Sequence, residues 1–193
     1  MTATNRGSKR EPLDNYQTPA WCVARLLESV DLPCGDWLEP AAGDGAIIRA
    51  VDRHFAEMPI EPTWTGVDVR NVPLFTHPAG SFICADFLAW DFGARRFDVA
   101  ISNPPYSMAQ QFIEKCLGLA DVTAMLLRLN FLASDTRANF MRAHTPDVYV
   151  LPDRPVFVGK HGDSCEYGWF VWGLGGGRVR VLGTTPRAER RVA

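Results

Sequence analysis

A single α/β domain built around a mostly parallel sheet is the fold class that the sequence predicts, from three observations. The segment Trp37-Leu38-Glu39-Pro40-Ala41-Ala42-Gly43-Asp44-Gly45-Ala46 passes from a short apolar strand through a tight small-residue turn into the helical pattern Ile47, Ile48, Val51, Phe55. Such a strand, glycine loop and helix unit is the usual ligand cradle of a parallel sheet. Three more short apolar runs follow, around residues 63–67, 82–85 and 97–101, and close on Asp68, Asp86 and Asn103. Finally, 193 residues of which 47% are hydrophobic suffice for one substantial core, with no second domain required.

The elements read in order as follows. Residues 1–13 hold Arg6, Lys9 and Arg10 against Glu11 and form a basic, flexible segment ahead of the domain, which spans 14–183. Thr18 and Pro19 start a helix, as cap and first-turn residue, with Trp21, Val23, Ala24, Leu26, Leu27 and Val30 on its buried face. The strand, loop and helix unit and the three apolar runs follow. Beyond them the pattern predicts a helix over 108–119, a strand over 122–131, a helix over 134–143 and strands over 148–151, 167–174 and 178–182. One strand near the C-terminus is expected to run antiparallel to the rest. Residues 184–193 read as a basic, flexible tail.

The loop chemistry selects the kind of ligand. The loop is not GxGxxG, and Glu39 and Asp44 flank it where a dinucleotide site would favour pyrophosphate. Two carboxylates suit a cation. S-adenosylmethionine (SAM) carries a sulfonium and an ammonium, and Gly43 and Gly45 allow close backbone approach to it. Asp68 stands about 24 residues after Asp44, where a carboxylate takes both hydroxyls of a ribose. Asp86 is placed to accept an adenine amino group. Each acid alone is equally a helix cap or a solvated turn; their order after successive strands is what points to a cofactor site.

Asn103-Pro104-Pro105-Tyr106 follows the run Phe97 to Ile101. An exocyclic amine on adenine is a poor nucleophile because its lone pair is delocalised into the ring. The Asn103 side-chain carbonyl and the Pro104 carbonyl can each accept one N–H of that amine, which frees the lone pair. Pro104 and Pro105 stiffen the backbone, and Tyr106 offers a ring face for a base swung out of its stack. The structural alternative is a proline turn closing a strand.

With these residues together, the chain resembles the SAM-dependent amino methyltransferases, and within them the DNA adenine-N6 enzymes, including the small forms of phages and mobile elements. The tetrapeptide at 103–106 matches that family's catalytic NPPY motif, and residues 39–45 look like its SAM-binding motif. Residues 16–19 are similar to the YxTP segment that precedes the glycine loop. The resemblance covers roughly residues 14–173. It implies a Rossmann-like class I methyltransferase fold and SAM as cofactor. It also implies a cofactor site of Tyr16, Thr18, Pro19, Glu39, Pro40, Ala42, Gly43, Asp44, Gly45, Asp68, Asp86 and Asn103, and a catalytic group of Asn103, Pro104, Pro105 and Tyr106.

The chain departs from larger members of that family, since core elements account for most of the 87 residues after Tyr106. No separate target-recognition domain is expected, and recognition falls to the loop from Pro152 to Cys165, with Arg154, Lys160 and His161 beside Tyr106. A solvated connector is the other reading of that loop. DNA is the expected partner, because relatives that methylate a glutamine amide or an RNA base carry a larger module before the SAM loop. An RNA or protein acceptor, a non-catalytic SAM-binding subunit, an oligomer and a partner subunit for target recognition stay open as alternatives.

The formal net charge of −2 divides unevenly, with +2 in residues 1–13, +4 in residues 178–193 and −8 between them. Phosphate contacts would then come from the ends, unless these are solubilising tails. The five dispersed cysteines form no CxxC pair, so neither a zinc site nor a disulfide framework is indicated. There is no membrane-spanning apolar run and no leader-like N-terminus, which makes the cytoplasm of a bacterial or phage-infected cell the expected compartment.

Overall fold

The computed structural model describes residues 17–56, 58–71, 80–157 and 165–190. Tyr16, Lys160 and His161 lie outside the described residues. In chain order the elements are α1 (Ala20–Leu27), β1 (Asp36–Glu39), α2 (Ala46–Phe55), β2 (Thr63–Asp68), β3 (Gly80–Cys84), β4 (Phe97–Ser102), α3 (Ala109–Leu119), β5 (Ala120–Arg128), α4 (Ala138–Ala143), β6 (Asp147–Val150), β7 (Tyr167–Trp172) and β8 (Val179–Val181).

Among the described residues, eight strands form one sheet in the order β3-β2-β1-β4-β5-β7-β6-β8. All neighbouring pairs are parallel except those of β7, which is antiparallel to both β5 and β6. The chain leaves β1 towards β2 and β3 on one side, then returns to place β4 on the other. This reversal between β1 and β4 is the point at which open parallel sheets bind ligands, outside the carboxyl ends of the strands.

Burial on both faces explains the strand sequences. Every residue of β7 is buried, as are seven of the nine in β5, which matches runs such as Ala124-Met125-Leu126-Leu127. One face packs on α1 and α2 through Trp21, Leu26, Trp37, Ile48, Trp64 and Trp169. Here Trp37 meets Trp64 and Phe55 edge-on, with centroids 5.4 and 6.0 Å apart. The indole N–H groups of Trp64 and Trp169 donate to Asp52 and to the Cys22 carbonyl, both at 2.8 Å. The opposite face carries α3, whose Ala109, Phe112, Ile113 and Cys116 recur at helical spacing against Leu38, Ala100 and Met125.

Several boundaries differ from expectation. Thr18 does not cap α1: Pro19 occupies the cap position, and no side chain among the described residues closes that end. The helix expected over 134–143 opens as a single 3₁₀ turn at Asp135–Arg137, because Ser134 is extended and its hydroxyl bonds Thr136. Residues 184–190 pack against the domain: Thr185 is buried, its N–H donates to Asp153 at 2.6 Å, and Arg190 pairs with Asp153 at 2.8 Å. No helix among the described residues is long and apolar enough to cross a membrane.

Candidate functional site

A cavity of about 440 Å³ opens at the carboxyl ends of β1, β2 and β4. Its floor is the loop between β1 and α2. Gly43 and Gly45 hold φ of 56° and 81°, in the left-handed region, and Gly45 is the residue from which α2 starts. The loop is pinned to β2 by the Ala42 N–H on the Val67 carbonyl and by the Gly43 N–H on Asp68 Oδ2, at 2.9 and 2.8 Å.

The cavity gathers Thr18, Glu39, Pro40, Ala42, Gly43, Asp44, Asp68, Asp86, Asn103 and Pro105, all picked out by sequence. Pro19, Gly45 and Pro104 stand beside it without lining it. Residues that the motifs did not mark also form the wall, among them Gln17, Ile47, Val69, Arg70, Phe87 and Met108. Val69 and Arg70 follow Asp68 directly, and Phe87 follows Asp86, so the positions after each strand-end acid were the available signal.

Glu39 is only 2% exposed, and its Oε2 has no hydrogen-bond partner among the described residues. Burial pushes its carboxyl well above the ordinary range, and repulsion from Asp44 and Asp68 adds to the effect. Asp44 is paired with Arg49 at 3.1 Å and also accepts from Gln17. Burial alone would raise Asp68. The Arg70 guanidinium and the N–H groups of Arg70 and Gly43 overcome that and hold it below the usual carboxylate range. Asp86 Oδ1 accepts the Leu88 N–H at 2.9 Å, so the acid organises its own turn while lining the cavity. Among the described residues the lining holds four carboxylic acids and one arginine, a balance suited to a cation.

Asn103 follows β4 directly, and its Nδ2 donates to Thr18 Oγ1 at 3.1 Å. That bond turns the acceptor end of the amide, Oδ1, away from Thr18. Tyr106 does not line the large cavity. It begins a 3₁₀ turn (Tyr106–Met108) and borders a smaller recess of about 270 Å³ with Gln110, Glu114 and Arg137. The Arg128 guanidinium lies 4.7 Å from the Tyr106 ring centre, and the Tyr167 ring is 6.1 Å away. Arg154 pairs with Glu166 at 2.5 Å on the surface and borders neither cavity.

No protein-family model and no curated protein matches the sequence. Solved structures do. A protein assigned as a class I SAM-dependent methyltransferase from Listeria monocytogenes superposes with a TM-score of 0.62 at 14% identity, over 90% of this chain and 67% of that one. A type I restriction-modification methyltransferase subunit from Streptococcus thermophilus gives 0.61 at 15% identity, over 82% and 44%. The 23S rRNA methyltransferase ErmE gives 0.59 at 18% identity, over 81% and 68%. This is the class I methyltransferase fold. The chain spans less than half the length of the restriction-modification subunit it matches.

Proposed function

We propose that the chain is a SAM-dependent methyltransferase acting on the N6 amine of adenine in DNA. The observation that carries this reading is the meeting of the Asn103 amide, beyond β4, and the buried Glu39 carboxyl, at the end of β1, on the wall of one cavity. A cationic cofactor fits there, because Glu39 presents a buried oxygen with no partner among the described residues, and acids outnumber the one arginine among the described residues of the lining. When bound, SAM supplies an electrophilic methyl group.

The protein's own residues do the rest. Glu39 and Asp44 offer negative charge to the sulfonium and ammonium, Asp68 takes the ribose and Asp86 the adenine end. Thr18 fixes the Asn103 amide, whose carbonyl, with that of Pro104, accepts the two N–H bonds of the target amine. As that nitrogen takes up the methyl group the methyl–sulfur bond would break, leaving the neutral thioether. The positive charge that grows on nitrogen is stabilised by the preorganised acceptors and is discharged when one N–H proton is lost to solvent. Tyr106, with Arg128 against its ring, forms a planar surface for an extruded base. Arg154, Lys160 and His161 supply contacts to the nucleic acid, and a target read by this chain alone is short or degenerate.

Incubating the protein with labelled SAM and separate pools of DNA, RNA and protein tests the reading. Label in DNA that digests to N6-methyladenine is the expected result. Label confined to RNA or protein, or N4-methylcytosine alone, refutes the acceptor.

A further inference from the structure

Asp68 is saturated. Its Oδ1 accepts the Arg70 backbone N–H and Arg70 Nε, each at 2.9 Å, and its Oδ2 accepts the Gly43 N–H at 2.8 Å and Arg70 Nη2 at 3.1 Å. A carboxylate offers about four lone-pair sites. Two are filled by backbone groups that hold the carboxylate in place. The other two are filled by the edge of one guanidinium, which also lines the cavity. A ribose diol needs two acceptor sites on this carboxylate, and it presents the same pattern of two adjacent donors.

We propose that Arg70 is an internal occupant of the ribose subsite, and that the cofactor enters by exchanging its diol for the Arg70 fork. The inference rests on the cofactor reading above. The exchange preserves the count of hydrogen bonds to Asp68, while Gly43 N–H and Arg70 N–H keep the acid oriented. Arg70 is 31% exposed, so its side chain has solvent to move into. The affinity measured for the cofactor is then the intrinsic affinity reduced by the strength of the Arg70–Asp68 pair. Arg70 therefore sets how tightly any diol-bearing ligand is held without forming part of its bound site.

Titration calorimetry with S-adenosylhomocysteine, 5′-methylthioadenosine and the 2′,3′-dideoxy form of the latter, on the wild type, Arg70→Ala and Arg70→Lys, tests this. Arg70→Ala is expected to bind both diol ligands about three- to tenfold more tightly, with no gain for the dideoxy compound. Arg70→Lys, charged but unable to fork, falls between. Raising salt should narrow the gap between wild type and Arg70→Ala, because screening weakens the internal pair. Equal or weaker diol binding by Arg70→Ala beside a binding wild type overturns the exchange and leaves the cofactor site standing. A wild type that binds neither S-adenosylhomocysteine nor 5′-methylthioadenosine removes the cofactor site and the exchange together.

Discussion

Glu39→Gln isolates the charge at the base of the cavity. The substitution keeps the shape of a side chain that is 2% exposed, replaces one carboxyl oxygen by an NH2 group and removes the ability to ionise. In the ligand-free protein burial raises this carboxyl well above its ordinary value of about 4.5, with Asp44 and Asp68 pushing the same way. The folded state therefore holds a proton that the unfolded chain releases. The associated stability is fully present below about pH 4.5 and is lost as pH rises through the folded value. Glu39→Gln should flatten that decline and match or exceed wild-type thermal stability on its alkaline side.

Cofactor binding should respond in the opposite sense. A cation entering beside Glu39 favours the ionised form, so SAM binding expels a proton. Calorimetry in buffers of different ionisation heat reads this release directly, and Glu39→Gln should abolish it. A charge-assisted hydrogen bond is worth about 1.5 to 3 kcal/mol, which corresponds to roughly 10- to 150-fold weaker SAM binding. Adenosine, which lacks the cation, should bind both proteins alike. Equal SAM affinity with unchanged proton release would show that Glu39 does not face the cationic group.

Three further outcomes are expected. Asn103→Ala should lower turnover by about a hundredfold or more with little change in SAM affinity, measured by single-turnover transfer and calorimetry. Tyr106→Phe should retain most activity and Tyr106→Ala should weaken DNA binding by roughly 1 to 3 kcal/mol; an inactive Phe variant would assign the role to the hydroxyl. Asp147, buried and forked by Arg178 at 2.6 and 3.1 Å, is held below the usual range by those bonds. Its stabilisation is present above the ordinary carboxylate value and is lost as pH falls through the depressed one. Asp147→Asn should reduce neutral-pH stability by about 1 to 3 kcal/mol in denaturant melts and remove that acid dependence.

The glycine loop, the strand-end acids and the Asn-Pro-Pro-Tyr turn were legible because each couples an unusual residue to a strand end, and parallel strands bring their ends to one edge. The sheet order beyond β5 was not legible. Whether the apolar run 167–172 joins an edge or is inserted between β5 and β6 depends on long-range pairing, which the apolar pattern of its six buried residues does not encode. Thr18 was readable as a helix cap, yet its hydroxyl serves Asn103, 85 positions away. The Arg70 fork on Asp68 was hidden for a related reason. A charged pair two apart in sequence meets only if the backbone turns sharply after the strand. The docking of Thr185 and Arg190 depends on Asp153, which sits in a loop without periodic signal.

The insertion of β7 has consequences for how the molecule is made. Its partners β5 and β6 both leave the ribosome first, and they cannot face each other with the native spacing until Tyr167–Trp172 slides between them. Six consecutive register pairs, from Thr123↔Trp172 to Arg128↔Tyr167, close only across some forty residues of intervening chain. A nascent chain halted before that point would present the nine residues of β5 as an apolar edge open to any other strand. The open edge of β5 is therefore covered only once the segment from Tyr167 to Trp172 has been made.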